Sequence, residues 1–129
     1  MTEQTRLVEQ ALAAQAQARA PYSHYPVGAA VLTGSGRIFH GCNVESGAYG
    51  TSICAERVAI FAALAAGEKE LSALAVITRD GGTPCGACRQ VIYEQCGEIS
   101  IYIASNDGGP VQAVTTADLL PKPFTFHDH

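Results

Sequence analysis

The chain has 129 residues and a formal net charge of −4, with 8 Lys and Arg against 12 Asp and Glu, and 47% of its residues are hydrophobic. This length predicts a single domain over 1–129, large enough for a core but small for an enclosed pocket built by one chain. The few basic residues form no stripe that could neutralise phosphates, which argues against a nucleic-acid partner. No apolar segment is long enough to span a bilayer and the N-terminus lacks a secretory apolar region, so we expect no membrane association and a cytoplasmic protein.

The predicted elements alternate between helices and strands. In chain order they are a helix over 3–19, strands over 27–33 and 37–42, a helix over 54–66, a strand over 74–78, a helix over 86–95, and strands over 99–104 and 111–115. Helices interleaved with a sheet in this way predict a three-layer α/β domain.

A cysteine motif in two parts is the most informative feature of the sequence. Cys54-Ala55-Glu56 is followed by Pro84-Cys85-Gly86-Ala87-Cys88. Cys85 and Cys88 face the same side of one helical turn, and the cysteines lie at or near predicted helix starts, where the helix dipole favours thiolates. Three protein ligands leave a fourth zinc position open for water, as in catalytic sites. The order and spacing are those of zinc-dependent base deaminases.

Three charged side chains adjoin the cysteines. Glu56 lies two residues after Cys54, within reach of an activated water without binding the metal, so we predict that it is the general acid and base. Three thiolates leave a zinc ion with net negative charge, which weakens it as a Lewis acid. Arg57 and Arg89 each directly follow a motif residue, and we predict that they donate to thiolate sulfurs and offset this charge. The alternative for each is an ordinary surface arginine.

Other interpretations of the cysteines explain less of the sequence. A structural zinc ribbon needs a fourth ligand, usually from a second Cys-x-x-Cys pair. A thioredoxin-like redox site suits Cys85 and Cys88 ahead of a helix, but it leaves Cys54-Ala55-Glu56 without a purpose. A disulfide framework conflicts with a total of 5 cysteines and with the polar N-terminus. We therefore predict catalytic zinc, and we expect Cys42 and Cys96 to be buried free thiols.

Six blocks of sequence extend this pattern over nearly the whole chain, from about residue 21 to residue 124. They are Pro21-Tyr22-Ser23-His24-Tyr25-Pro26-Val27-Gly28-Ala29-Ala30, Gly41-Cys42-Asn43-Val44-Glu45, Tyr49-Gly50, Ile53-Cys54-Ala55-Glu56-Arg57, Pro84-Cys85-Gly86-Ala87-Cys88-Arg89-Gln90 and Leu119-Leu120-Pro121-Lys122-Pro123-Phe124. With these blocks the chain resembles the small homotetrameric cytidine deaminases. The resemblance implies an α/β/α fold with a mixed central sheet, one Zn²⁺ per chain, a free nucleoside substrate, and a tetramer with shared active sites.

The resemblance also implies roles for side chains that bind substrate. Asn43 and Glu45 correspond to residues that hold the ribose 3′-hydroxyl, a task suited to an amide and a carboxylate. The alternative is a turn-forming asparagine followed by a solvated glutamate. Tyr25 stands where the family usually has a phenylalanine packed against the pyrimidine or sugar. Phe124 resembles a C-terminal aromatic that reaches a neighbouring subunit's site, a part that Phe126 could also take; the alternative is an anchor for the chain end.

The central helix gives a separate indication of an oligomer. Its segment over 58–66 is apolar on all sides, and such a helix must be buried on every side. In a domain of this size we expect another subunit to cover part of it. The alternative is complete cover by the helix's own domain.

The reaction implied by the resemblance is the hydrolytic deamination of cytidine and 2′-deoxycytidine to uridine and 2′-deoxyuridine, a step of pyrimidine salvage that releases ammonia. Zinc held by Cys54, Cys85 and Cys88 would activate water for attack at C4. Glu56 would carry the water's proton to N3 and later to the departing amine. The alternatives are a same-fold deaminase of another aminopyrimidine nucleoside such as blasticidin S, which Glu45 disfavours, and a non-catalytic zinc or redox module.

Overall fold

The computed structural model describes residues 2–125, in which a five-stranded sheet lies between two layers of helices. In chain order the elements are α1 (Glu3–Gln15), β1 (Gly28–Thr33), β2 (Ile38–Cys42), a 3₁₀ turn (Tyr49–Thr51), α2 (Ala55–Ala65), β3 (Leu71–Thr78), α3 (Gly86–Cys96), β4 (Ser100–Ser105), β5 (Gln112–Thr115) and α4 (Thr116–Leu119). The strand order is β2-β1-β3-β4-β5. Only β3 and β4 are parallel neighbours, so the predicted α/β/α fold with a mixed central sheet is confirmed.

The two faces of the sheet bury different helices because successive side chains of a strand point to opposite sides. Ala29 and Val31 of β1 pack in one cluster with Ile60 of α2. Ala30, between them, packs in the other cluster with Leu7 of α1. Both helices of the cysteine motif therefore lie on the same face of the sheet. Among residues 2–125, no helix is long and apolar enough to cross a bilayer.

A glycine allows α2 to lie directly on the edge strand β2. A Cβ added at Gly41 would lie 2.2 Å from the carbonyl oxygen of Ala55 and 2.5 Å from the amide nitrogen of Ala59. These distances are shorter than a close-packed interior tolerates, so a side chain at this position would displace the first turns of the helix. Cys54 caps that helix and Glu56 lies in its first turn, and Gly41 therefore fixes how deeply both residues sit.

The first helix is shorter than the sequence predicts. It ends at Gln15, so the predicted extent of 3–19 is wrong at its C-terminal end. The chain turns and pairs its backbone with a distant segment: the Arg19 amide donates to the Asn43 carbonyl over 2.9 Å, and the Glu45 amide donates to the Arg19 carbonyl over 2.8 Å. This pairing satisfies backbone groups outside the helix, and an alanine-rich pattern contains no sign of it.

The remaining boundaries agree with the sequence more closely. Strand β3 begins three residues earlier than predicted because Leu71 pairs with Thr33 across an irregularity in the register. Helix α4 is missing from the prediction, although Thr115 and Asp118 form a capping box that the Thr-x-x-Asp spacing signals. The other predicted helices and strands match those of the structure to within one residue at each end.

Candidate active site

A cavity of about 590 Å³ lies where four separate segments of the chain meet. These are the segment before β1, the segment after β2, the start of α2, and the loop between β3 and α3. The side chains that line the cavity include Tyr25, Asn43, Glu45, Cys54, Glu56, Arg57 and Cys85. The fold thus gathers most of the predicted site residues around one cavity, although they span sixty positions of the sequence.

The three motif cysteines form a compact sulfur cluster. Their sulfur atoms all lie within 4.8 Å of one another, and the Cys54 and Cys85 sulfurs are 3.7 Å apart. Two sulfurs bound to one tetrahedral zinc ion by bonds of about 2.3 Å lie about 3.8 Å apart, so this spacing fits a shared metal. Cys88 is fully buried, whereas Cys85 is exposed. The cluster is therefore anchored in the protein on one side and open on the other.

The positions of these cysteines favour thiolates. Cys54 is the N-cap of α2 and Cys85 the N-cap of α3, and neither side chain makes a capping hydrogen bond. Both sulfurs are therefore free to serve as ligands at the positive end of a helix dipole. Hydrogen bonds from the Cys88 thiol and from Arg57 lower the pKa of Cys54 to about 5. The hydrogen bond with Cys54 and burial together raise the pKa of Cys88.

Glu56 is a buried carboxyl group in the first turn of α2. Only 4% of its surface is exposed, although it lines the cavity. Burial penalises the charged form, and the nearby Cys54 adds repulsion, so the pKa of Glu56 is raised to about 7. A carboxyl group with this pKa exchanges a proton readily near neutral pH, which is the property that a general acid and base needs.

Arg57 contacts the sulfur cluster as predicted. Its Nη2 donates a hydrogen bond to the Cys54 sulfur over 3.3 Å, and the same contact raises the pKa of Arg57. The guanidinium group thus lies where it offsets thiolate charge. Its Nε is buried and has no hydrogen-bond partner among residues 2–125.

Arg89 has a different role from the one predicted. Its Nε donates to the Pro84 carbonyl over 2.7 Å, its Nη1 to the Leu119 carbonyl over 2.9 Å, and its Nη2 to Thr83 Oγ1 over 2.8 Å. All three nitrogens therefore bind oxygens and none binds sulfur, which corrects the expectation of a thiolate contact. The side chain instead holds the loop that carries Cys85 against the C-terminal segment.

Asn43 is fixed by two backbone contacts at the cavity wall. Its Oδ1 accepts from the Val27 amide over 2.9 Å, and its Nδ2 donates to the Tyr25 carbonyl over 2.9 Å. An amide group has two donor hydrogens and two acceptor lone pairs. One donor and one acceptor position therefore remain for a ligand in the cavity, while the side chain itself cannot rotate freely.

Glu45 is half-buried and is held by the segment before β1. Its Oε1 accepts from the Tyr22 amide over 3.0 Å and from the Ser23 amide over 3.1 Å, and its Oε2 accepts from the Ser23 hydroxyl. The hydrogen bonds from Ser23 and Tyr22 lower the pKa of Glu45. The carboxylate is therefore ionised at neutral pH and kept at the cavity in a fixed orientation.

The two predicted aromatic residues lie in different places. Tyr25 lines the cavity, and its hydroxyl donates to Asp80 Oδ1 over 2.5 Å. Phe124 does not line the cavity of its own chain and is 54% exposed, while its carbonyl accepts from Gln90 Nε2 over 2.9 Å. Phe126, the other predicted candidate, lies outside the described residues.

Comparisons with known proteins agree with this geometry. Residues 1–104 match the family model described as the cytidine and deoxycytidylate deaminase zinc-binding region. The chain belongs to this deaminase family. It is 45% identical over 126 residues to a cytidine deaminase of Sporosarcina psychrophila, which covers 95% of this chain and 92% of that protein. It is 41% identical over 125 residues to a cytidine deaminase of Halalkalibacterium halodurans, with 95% and 94% covered.

Solved structures extend the likeness to three dimensions. The chain matches the crystal structure of a cytidine deaminase from Burkholderia pseudomallei with a TM-score of 0.90 and 45% identity, over 96% of this chain and all of that one. It matches the cytidine deaminase from Mycobacterium tuberculosis with a TM-score of 0.84 and 38% identity, over 98% of this chain and all of that one. The chain therefore matches the cytidine deaminase fold of these structures along all of their length.

The cofactor of this deaminase is zinc. The family model that matches residues 1–104 is a zinc-binding region, and this span contains the cluster of Cys54, Cys85 and Cys88. Three thiolates at tetrahedral spacing are a donor set that zinc prefers, and three ligands leave one coordination position for water or substrate. The residues present thus fit a catalytic zinc ion.

Several residues around the deaminase cavity had no place in the sequence prediction. Ser23 holds Glu45, and Asp80 holds the Tyr25 hydroxyl. Neither carries a local signal, because each partner is more than twenty residues away in sequence. Cys42 and Cys96 are free and lie outside the sulfur cluster, but both are half-buried rather than fully buried as predicted. Burial raises the pKa of Cys96 to about 12, so its thiol stays protonated.

Proposed function

We propose that this deaminase converts cytidine and 2′-deoxycytidine to uridine and 2′-deoxyuridine by hydrolysis. The observation that carries the proposal is the position of Glu56, a buried carboxyl group with a pKa of about 7 that lines the same cavity as Cys54 and Cys85 of the sulfur cluster. A base inserted into this cavity would meet a proton carrier and a metal site together. Relatives named cytidine deaminase, at 41–45% identity over most of the chain, support the same substrate.

The mechanism assigns proton transfer to Glu56. Bound zinc supplies Lewis acidity, which makes water nucleophilic near neutral pH. Glu56 accepts the proton released as water adds to C4 of the cytosine ring and delivers it to N3, because a pKa near 7 lets it take up and release a proton at little cost. Glu56 then takes the remaining proton from the new C4 hydroxyl group and passes it to the exocyclic amine, so that the C4–N bond breaks, the C4 carbonyl forms and ammonia leaves. Throughout, Arg57 offsets the negative charge of the sulfur cluster through its hydrogen bond to Cys54.

The charges around the cavity favour a nucleoside over a nucleotide. Among the described residues that line the cavity, the charged ones are Glu45, Glu56 and Arg57, and Arg57 is committed to the Cys54 sulfur. Recognition of a phosphate group relies on Arg or Lys at the binding site. A 5′-phosphate would meet the Glu45 carboxylate without a compensating cation among the described residues of the cavity lining, so the proposal is limited to the unphosphorylated substrate.

We assign the ribose to Asn43 and Glu45. Both line the cavity, and both are held by hydrogen bonds that leave ligand-binding capacity on the amide and on the carboxylate. A carboxylate accepts from a sugar hydroxyl and an amide can donate back to the same oxygen. Fixed side chains lose little conformational entropy on binding, which suits them to position the sugar.

We also propose a homotetramer in which neighbouring chains complete the sites. The apolar helix α2 is not covered by its own domain along its whole length, because Phe61 is 42% exposed and Ala62 and Ala65 are exposed beside it. A second chain would bury this surface, and small alanines would allow close approach. Phe124 is 54% exposed and lies outside its own chain's cavity, and we assign it to the cavity of a neighbour.

The proposed activity would return free pyrimidine nucleosides to salvage, and we assign it to the cytoplasm. The five cysteines are free in the structure, and thiolate zinc ligands persist best in a reducing compartment.

The test is ultraviolet-monitored loss of cytidine, with ammonia release as a check, on protein of measured zinc content. We expect rapid conversion to uridine, reduced by at least about a hundredfold in Glu56→Gln with zinc retained. Glu94→Gln, an exposed glutamate on α3, is the matched control and should keep wild-type turnover. Normal turnover in Glu56→Gln would overturn its role. Zinc-loaded wild-type protein that leaves cytidine unchanged would move the substrate to another aminopyrimidine.

A further inference from the structure

Two loops on either side of the cavity are joined by contacts that involve neither the cysteines nor Glu56. The first loop, 21–26, precedes β1 and supplies the donors that hold Glu45. The second loop, 79–84, leads from β3 to Cys85 at the start of α3. Residues of both loops line the cavity, Tyr25 from the first and Gly82 from the second.

Three contacts connect the loops. The Tyr25 hydroxyl donates to Asp80 Oδ1 over 2.5 Å, and Arg79 Nη1 donates to the His24 carbonyl over 3.1 Å. The Arg79 guanidinium also lies over the Tyr25 ring, 4.9 Å from its centroid, within the range of a cation–π interaction. Asp80 is itself held from β3, because Thr78 Oγ1 donates to the same carboxylate oxygen over 3.3 Å.

Gly82 and Asp80 surround the tyrosine hydroxyl. A Cβ added at Gly82 would lie 2.6 Å from the Tyr25 hydroxyl oxygen, closer than a Cβ atom approaches an oxygen in a packed protein. A side chain at residue 82 would therefore displace the hydroxyl from its present position. The pKa of Asp80 is lowered, mainly by the hydrogen bond from Tyr25. The contact therefore forms with the ionised carboxylate, whose charge strengthens it.

We propose that the Tyr25–Asp80 hydrogen bond is a positioning contact, which fixes the separation of loops 21–26 and 79–84 and thereby sets how tightly the deaminase holds its nucleoside. Only the predicted effect on KM rests on the proposed function. Tyr25 lines the cavity and its hydroxyl donates to Asp80, so the two loops are held together before substrate arrives. Preorganisation of this kind improves binding by lowering the ordering cost. It leaves the chemistry at C4 to Glu56 and the metal site.

The primary test removes the hydroxyl and keeps the ring. Tyr25→Phe should raise KM for cytidine about fivefold and change kcat less than about twofold, as expected for the loss of an interaction present in both ground and transition states. The matched control is Tyr102→Phe, since the Tyr102 hydroxyl likewise donates to a carboxylate, Glu3 Oε2, over 2.6 Å but outside the cavity. An equal KM in Tyr25→Phe and Tyr102→Phe would overturn the proposal.

Variants of the acceptor separate this contact from a general loss of structure. Asp80→Ala should raise KM as Tyr25→Phe does, and the double variant should be no worse than either single variant. Asp80→Asn should largely restore KM, because its amide oxygen still accepts the hydrogen bond. Additive effects, or an asparagine variant as impaired as the alanine variant, would overturn the assignment.

Substitution of Gly82 tests the same contact independently. Gly82→Ala should raise KM in the wild-type background, because its methyl group meets the Tyr25 hydroxyl. The same substitution should have a smaller effect when combined with Tyr25→Phe, in which that oxygen is gone. An undiminished effect in the combined variant would contradict the packing on which the proposal depends.

Amide hydrogen exchange tests the Tyr25–Asp80 contact independently of deaminase activity. Tyr25→Phe should accelerate exchange in loops 21–26 and 79–84 relative to wild type, whereas Tyr102→Phe should not. If zinc-loaded wild-type protein did not turn over cytidine, the proposed function would fail while faster exchange in these loops would still support the contact. Unchanged exchange in both loops would overturn the contact whatever the substrate.

Discussion

Arg57 donates a hydrogen bond to the Cys54 sulfur across 3.3 Å, from the helical turn that Cys54 itself caps. The ligand and the cation that moderates its charge are therefore carried by one rigid element. The backbone separation of the two residues is set by the start of α2, so the contact depends on helix geometry rather than on loop conformation.

Replacement of Arg57 by glutamine should weaken the enzyme without emptying the cavity. The neutral side chain no longer offsets the thiolates, so we expect kcat/KM for cytidine to fall about 10–100-fold, the usual effect of losing a group that supports a metal ligand. Arg37→Gln is the control, because Arg37 pairs with Glu68 over 3.5 Å outside the cavity. A fall of equal size in both variants would contradict the assigned role of Arg57.

The dependence of activity on pH should report the burial of Glu56. Burial raises its pKa from 4.5 to about 7, and below that pKa the carboxyl group keeps its proton and cannot accept one from water. We expect kcat/KM to fall about tenfold per pH unit on the acid side, from a midpoint near 7. The measurement is a pH profile with zinc content determined at each pH, and a midpoint near 4.5 would contradict the prediction.

Removal of one cysteine ligand should release the metal. Cys85→Ser replaces a thiolate by a hydroxyl group, which is a poorer zinc ligand, so bound zinc should fall well below the expected value of about one per chain. Cys96→Ser is the matched control, since Cys96 is a half-buried free thiol outside the cluster. Atomic absorption on the purified proteins compares them, and equal zinc in the two variants would exclude Cys85 as a ligand.

The ribose assignment can be tested by changing the substrate and the protein together. Glu45→Gln should raise KM for cytidine about tenfold, because a hydrogen bond to a charged acceptor is lost. With 3′-deoxycytidine, which lacks the hydroxyl in question, wild type and variant should have similar KM values. A penalty of the same size with both substrates would mean that Glu45 acts only by holding Tyr22 and Ser23.

The exposed side of α2 predicts the oligomeric state. Phe61→Glu places a charge on the surface that we assign to the subunit interface, so light scattering should detect dissociation of a tetramer of 13.5-kDa chains. Leu12→Glu is the control, because Leu12 is 49% exposed but belongs to α1 on the other face of the sheet. The interface is misassigned if Phe61→Glu keeps the mass of wild type, or if Leu12→Glu alone dissociates.

Local chemistry explains which parts of the molecule the sequence could predict. Within each half of the cysteine motif the spacing acts over one helical turn, Cys54 with Glu56 and Cys85 with Cys88. The order of the two halves matches zinc-dependent base deaminases, so the sequence predicts the sulfur cluster and its proton carrier. The end of α1 depends on the pairing of Arg19 with a segment more than twenty residues away. The contacts of Arg89 with Leu119 and of Tyr25 with Asp80 join still more distant positions. No rule based on neighbouring residues contains these pairings.

The close approach at Gly41 changes how damaging variants of this enzyme should be interpreted. This residue touches neither metal nor substrate, yet any side chain there collides with the backbone of α2 at Ala55 and Ala59. The collision would move Cys54 away from Cys85 and Cys88 while leaving all three thiols chemically intact. Such a variant would fail to retain zinc although every ligand is present, because the fault lies where β2 contacts the backbone of the helix.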